Sequence, residues 1–325
     1  MNPTTNTWQP TREVEIIVGT PPGGGQDRPA RVLTKVMAAA GLVNVPMRVS
    51  NVVGKGGGSA WDALRTHGGD PHVLSINSGP LLANRILGVS DYDQSAFTPL
   101  ANLYTENLVF IVPAASPIKD AQSFLARLKS SPANFVISFA TAIGTTNHIA
   151  LGQIMTHLGG EPQALNLRVF DSALYAVADV AEGKADAGVI SAVSAVKAMQ
   201  AGTVRALAVT AATRMGGVFA STPTWAEQDV PCVLGQWRGI MGGMGGKGMN
   251  AEQVQFWEQA FSAATRHADW RAELETNYWT HAFMGATQAR EFLDGEYAFL
   301  DKMLRGLGLA THRVQFTNSH PACAP

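Results

Sequence analysis

Apolar positions along the chain fall into two alternating patterns. Short β-branched runs such as EVEIIVGT (13–20) and HVLSIN (72–77) read as buried strands. Between them, DRPARVLTKVMAAAG sets Val32, Leu33, Val36 and Met37 at helical spacing, with Gly41 as terminator. Three units of strand, glycine-containing turn and helix follow one another, through PPGGGQ, KGGGS and SGP. Such repetition predicts a parallel sheet with helices on both faces.

The stretch LANLYTENLVFIVP (100–113) is apolar without a helical period and reads as a long strand leaving the first set. A second set follows: helix DAQSFLARLKS, strand NFVISFA, turn TAIGTT, helix NHIALGQIMTHLG, then LNLRVF, SALYAVADVAEG, ADAGVISA, VSAVKAMQAG and VRALAVTA. TPTWAEQ and GQWRGIMGGM read as a return crossing, and helices near 250–266, 267–276 and 287–306 close the chain. The expected fold is α/β, with two doubly wound domains joined by two crossing strands and a ligand cleft between them. The first domain is expected at 12–105 plus 225–310 and the second at 106–224, with 1–11 and 311–325 as loose tails.

Length supports two domains, since 325 residues exceed what one small core organises. A formal charge of −1 gives no whole-protein argument for nucleic acid or an anionic membrane, and no apolar run is long enough to span a bilayer. Two cysteines, Cys232 and Cys323, are too few for a disulfide framework or a cysteine metal site. The opening residues MNPTTNTWQP lack the features of an export signal, which leaves either a cytoplasmic protein or a mature form.

The chemistry concentrates in turns. In TPPGGGQD, Thr20, Pro22, Gly23, Gly24 and Gln26 lie between a strand and a helix. There glycines allow close backbone approach, and amides at a helix start can hold an anion. The spacing is neither a Walker loop nor a dinucleotide fingerprint. Asp27 belongs to the first helical turn, pairs with Arg31 four residues on, and reads as holding the loop. The equivalent turn of the second set contains Thr141, Ile143, Gly144, Thr145 and Thr146, with one threonine to cap the helix and the other hydroxyl free for a ligand. His148 is either a buried neutral histidine or a ligand contact. Asn77 and Ser78 line a third turn or cap it; Asp186 faces the cleft or begins a strand; Phe170 is an apolar wall candidate. No nucleophile elbow, zinc motif or paired metal histidines occur, so no catalytic residue, metal or cofactor is expected.

The order IIVGTPPGGGQDRPAR, NVVGKGGGSAWDAL, AIGTTNHIA and AGTVRALAVT followed by TPTWAEQ resembles the Bug (TctC-like) family, receptors of tripartite tricarboxylate transporters. The resemblance runs from about residue 12 to 308. It implies a periplasmic-binding-protein-like fold and a periplasmic, monomeric receptor. Such a receptor closes over a dicarboxylate or aromatic acid and delivers it to membrane permease subunits, without nucleic acid and without spanning the membrane itself. It also implies that 20–26, 141–146 and 77–78 grip the ligand. The family's Pro-Phe-Pro-Ala-Gly-Gly loop reads Thr20-Pro21-Pro22-Gly23-Gly24-Gly25 here, which removes an aromatic wall. Its Gly-Ser-Gly-Thr loop reads Ala142-Ile143-Gly144-Thr145, which replaces a hydroxyl by an apolar side chain. Alternatives are a sensor subunit of the same fold, or an enzyme acting on a carboxylate or phosphate ester with His148 as acid–base.

Overall fold

The computed structural model describes residues 8–140, 142–243 and 248–310. Three strand–helix units open the chain: β1 (Val14–Val18) and α1 (Asp27–Ala39), β2 (Met47–Asn51) and α2 (Gly58–Thr66), β3 (Val73–Asn77) and α3 (Pro80–Ile86). β1 lies between β2 and β3, parallel to both, as the repeated pattern requires.

The crossing strand is β4 (Thr98–Pro113). After it come α4 (Ala121–Ser130), β5 (Val136–Ala140), α5 (Thr146–His157), β6 (Asn166–Phe170), α6 (Ala173–Ala181), β7 (Ala187–Ser191), α7 (Ala192–Gln200) and β8 (Val204–Val209). The chain returns through β9 (Gly235–Gly242) and ends with α8 (Ala251–Arg266), α9 (Ala268–Thr276), β10 (Trp279–Gly285) and α10 (Ala286–Gly306). The first half of β4 pairs with β9 and β10, from Thr98↔Gly242 to Asn107↔Gly235 on the β9 side. Its second half pairs with β7, starting at Leu108↔Ser191, and with β8. One 16-residue strand therefore belongs to two sheets, β2-β1-β3-β9-β4-β10 and β8-β4-β7-β5-β6.

Four features differ from the pattern read in the sequence. Both sheets are mixed, because β4, β9 and β10 run antiparallel to neighbours. β10 fills the interval between the second and third closing helices, where partly exposed residues of mixed polarity hide its pairing with β4. Residues 8–11 are held rather than loose: Trp8 packs edge-on against Phe256 at 5.2 Å, and the Thr11 amide donates to His72 Nε2. Finally, Trp225, Val230 and Cys232 pack into the core around β5 and α4, with Trp225 4.8 Å from Phe110, so the return to the first half comes after them. Residues 311–325 lie outside the described residues.

Each half has its own core. Val14, Ile16, Leu33, Trp257 and Trp270 pack together in the first, and Phe110, Phe124, Ile137, Leu151 and Trp225 in the second. Trp61, Trp237, Trp257 and Trp270 are all buried, as interior residues rather than a stacking ladder. The last turns of α10 reach across: Leu304 and Leu307 share a cluster with Ile149 of α5. No helix among the described residues is long and apolar enough to cross a membrane.

Candidate ligand-binding site

The loops that follow β1, β2 and β3 and those that follow β5, β6 and β7 sit at the carboxyl ends of their parallel strands. β1–β3 run in the direction of β4 and β5–β7 run against it, so both sets of ends point toward the junction of its two halves. In open α/β sheets ligands bind at that end.

The first wall is built around Asp27, which is almost fully buried. Its carboxylate accepts from the Gly23 amide (2.8 Å), from Arg31 Nε (3.0 Å) and from Asn51 Nδ2 (2.8 Å). Asn51 also donates to the Thr20 carbonyl at 2.8 Å. Burial alone would raise the Asp27 pKa; the bonds from Arg31, Gly23 and Asn51 outweigh it and hold the carboxyl below its ordinary value. The expectation that Asp27 holds the loop and pairs with Arg31 is met. Gly23 has φ +80, a left-handed conformation, and at Gly24 a Cβ would stand 2.7 Å from Thr20, so neither position accepts a side chain without distortion.

This loop is largely satisfied by itself. The Thr20 hydroxyl accepts from the Gln26 amide, and the Gly24 carbonyl accepts from the amides of Asp27 and Arg28. Gln26 uses both ends of its amide, accepting from Gly19 N–H at 2.9 Å and donating to Ser78 Oγ at 3.3 Å. Gln26 is thus a brace between two turns, and Ser78 keeps its own proton to donate. Pro22 and Gly23 are exposed at the tip. Behind the loop, buried Arg238 donates from Nε to the Gly25 carbonyl (3.1 Å) and from Nη2 to Glu106 (3.3 Å), which fixes a guanidinium beneath the glycines.

The second wall is more open. Thr145 occupies the cap position of α5, yet its hydroxyl donates back to the Ala142 carbonyl at 2.7 Å and no side chain caps the helix. The first-turn amides of Thr146, Asn147 and His148 therefore lack the partner a cap would give. The Thr146 hydroxyl makes no hydrogen bond among the described residues. Gly144 has φ +87 and turns the chain into this helix. Ile143, 43% exposed, stands at the mouth. Thr141 lies outside the described residues.

His148 holds this turn. It is buried, its ring is stacked on Phe139, and Nδ1 accepts from the Gly144 amide at 3.0 Å. An Nδ1 acceptor requires a neutral ring with the proton on Nε2. Burial keeps the His148 pKa below its ordinary value. The neutral reading of the residue is met, with its ring accepting rather than donating; direct ligand contact is replaced by a positioning role, because burial and the Gly144 bond commit the ring. A depressed histidine pKa contributes stability that is complete above the unfolded value of about 6.5 and lost as pH falls toward the folded value. Thermal melts from pH 8 to 5 should thus show a larger loss for wild type than for His148→Gln, whose amide keeps an acceptor without titrating. Parallel curves would remove His148 from this role.

Two further candidates leave the cleft. Asp186 accepts from the Val136 amide at 2.8 Å, and its own amide donates back to the Val136 carbonyl, so it begins β7 beside the start of β5. That is the amino end of the sheet, about 13 Å of strand from the turn after β5. Asn77 accepts from Trp61 Nε1 at 2.7 Å and is 1% exposed, a pin for α2 rather than a ligand group. Phe170 closes β6 opposite Ala140 and packs partly against the core of its own half. Asn51 and Arg238 support the first loop without a motif to announce them; a polar residue at the end of an otherwise apolar strand was the available signal for Asn51.

Helix starts differ in their caps; at α10 the N-cap is Gly285 and Glu258 accepts from the Ala286 amide instead. α4, α8 and α9, which begin away from the cleft, have side-chain caps from Asp120, Asn250 and His267. Of the helices that begin at the cleft, α1, α2, α5 and α7 have none, and α6 alone among those of nine or more residues is capped, by Ser172. For α1 the Gly24 carbonyl closes the gap and for α2 the Gly54 carbonyl accepts from the amides of Gly57 and Ser59, so α5 and α7 are left with open first-turn amides.

Two α/β halves joined through a shared strand, with facing strand ends that present uncapped helices, define a bilobed solute-binding fold. Residues 46–309 match the profile of the tripartite tricarboxylate transporter family receptor, and the chain belongs to that family. Among curated relatives, BugT of Bordetella pertussis is 27% identical over 242 residues, 71% of each chain. A protein from the tcbD-tcbE intergenic region of Pseudomonas sp. strain P51 is 29% identical over 208 residues, 63% of this chain and 60% of that one. The fold is shared with a TctC solute-binding protein from Polaromonas (TM-score 0.78, 21% identity, 91% of this chain and 99% of that one). It is shared also with an R. palustris protein with adipate (TM-score 0.74, 21% identity, 93% and 99%). MatC from Rhodopseudomonas palustris, with bound malate, has a TM-score of 0.68 at 22% identity over 91% of this chain and 99% of that one.

Proposed function

We propose that this protein is a periplasmic receptor that closes over a small organic carboxylate, a dicarboxylate or aromatic acid, and delivers it to the membrane permease subunits of a tripartite transporter. The carrying observation is the uncapped start of α5, where the amides of 146–148 and the Thr146 hydroxyl stand open beside Gly144. A carboxylate seated there takes the place of the missing cap and complements the dipole. Each charge-assisted hydrogen bond contributes about 1.5–3 kcal/mol, so three or four, less ordering and desolvation, are consistent with micromolar affinity near −8 kcal/mol. The braced glycine loop and Ser78 supply the opposite wall. The adipate and malate complexes of the two neighbours support the ligand class.

In this reading the protein acts as a monomer. Residues 12–105 with 235–310 move as one lobe and 106–234 as the other, and a ligand touching both favours the closed form. An acid–base role for His148 finds no support, since Nδ1 is engaged by Gly144 and no carboxylate orients the ring among the described residues.

A thermal-shift panel tests the reading on protein stripped of carried-over ligand. Carboxylates at about 100 times their dissociation constant should add roughly 2.7 kcal/mol and remain chemically unchanged over hours. Stabilisation by sugar phosphates alone, or consumption of the stabilising compound, would overturn it.

A further inference from the structure

A second concavity lies between the segment after β8 and the start of β10. There β10 pairs with the first half of β4 and β8 with the second, and between them opens a cavity of about 770 Å³. One wall is the segment after β8, with Arg214; the other is the end of α9 and the start of β10, with Arg271, Glu275, Tyr278, Thr280 and His281. The walls thus come from the two halves of the protein.

The lining is rich in hydrogen-bond donors. Thr280 Oγ1 accepts from Asn107 Nδ2 at 2.6 Å, which leaves its own proton free to donate inward. Arg214 gives Nε to Glu227 at 2.9 Å and retains its terminal nitrogens. Arg271 has no ion pair among the described residues, although Glu275 is four positions on along the same helix. Arg271 and His281 both line the cavity, and burial, with a smaller contribution from the Arg271 charge, lowers the His281 pKa.

The apolar surface is pre-formed as well. Tyr278 has φ 54, a left-handed conformation unusual for a bulky residue, and such strain persists only where the surroundings fix it. Here the surroundings are Phe219, edge-on at 5.2 Å, and Gly217, where a Cβ would fall 2.8 Å from the ring. The Tyr278 ring and the Arg271 guanidinium line the same cavity, a combination suited to a planar group bearing negative charge.

We propose that this cavity is a second binding site, for a small organic anion with a planar apolar body, distinct from the carboxylate cleft. Because its walls belong to different halves, an occupant braces one half against the other. Any effect on cleft affinity is then matched by an equal effect of the cleft ligand on this site.

The test is a titration of ligand-stripped protein with 2-naphthoate, using wild type, Arg271→Ala and Arg271→Lys, each checked by melting temperature. The same titration on Thr146→Pro, which removes donors from the cleft, separates the two sites. In Thr146→Pro, where cleft binding of an aromatic acid is also weakened, naphthoate should keep a site that binds about tenfold more weakly when Arg271→Ala is added and recovers most of its affinity with Arg271→Lys. Arg271 is exposed on α9, so these variants should fold normally. Equal affinity with and without Arg271→Ala in the Thr146→Pro background, loss of all binding in Thr146→Pro, or no binding to wild type would each overturn the proposal. The carboxylate reading of the cleft would stand in all three cases.

Discussion

Thr146→Pro is expected to leave the protein folded and to weaken carboxylate binding by roughly ten- to a hundredfold, about 1.4–2.8 kcal/mol. Residue 146 is the first residue of α5, where proline's fixed φ suits the helix and its missing N–H breaks no intrahelical bond. Thr145 before it has φ −76 and ψ 169, the extended conformation a residue preceding proline prefers. The substitution therefore deletes one amide and one hydroxyl donor with little conformational cost. Calorimetric affinity and melting temperature read the two effects separately. Thr146→Ser, which restores both donors, should bind like wild type. A Thr146→Pro protein with unchanged affinity would move the carboxylate away from α5.

Asp27→Ala is expected to reduce stability by about 2–4 kcal/mol and to weaken ligand binding at least tenfold. The buried carboxylate gathers the Gly23 amide, Asn51 and Arg31, and its removal leaves the Gly23 amide without an acceptor and Asn51 with the Thr20 carbonyl alone. Arg31, about half exposed, turns to solvent and accounts for little of the loss. Asp27→Asn keeps one acceptor and should fall between. Because the folded pKa is depressed, this stabilisation is present above the unfolded value of about 4. It is lost as pH falls through the folded value, so wild type and Asp27→Ala should converge in acid. Urea melts at pH 7 and pH 3 measure the gap directly, and a constant gap would contradict the network's electrostatic origin.

The strand–turn–helix units were legible because their periodicities are local: 13–20 and 72–77 became β1 and β3 nearly as read. So was β4, whose long apolar run has no helical period. What the sequence hid depends on partners far along the chain. β10 acquires its role only by pairing with β4, and Trp225 joins the second half only because Phe110 and Phe124 form a socket for it. The site divides in the same way. The glycine turns announce themselves by composition, and the role of Asp27 by its spacing to Arg31. By contrast, the commitment of Gln26 to Gly19 and Ser78, of Thr145 to Ala142, and of Asn77 to Trp61 depends on hydrogen-bond directions that no residue pattern encodes. As a result two walls that looked equivalent in sequence are not. The loop after β1 is closed on itself, and the start of α5 is open.

The most direct measurement is a calorimetric titration of ligand-stripped protein with adipate alongside its uncharged diamide. The two share length and apolar body and differ in the groups offered to the α5 amides. The account predicts adipate binding with micromolar affinity and the diamide at least a hundredfold more weakly, a difference of about 2.7 kcal/mol or more. Equal affinity for the two, or tighter binding of the diamide, would contradict carboxylate recognition at α5.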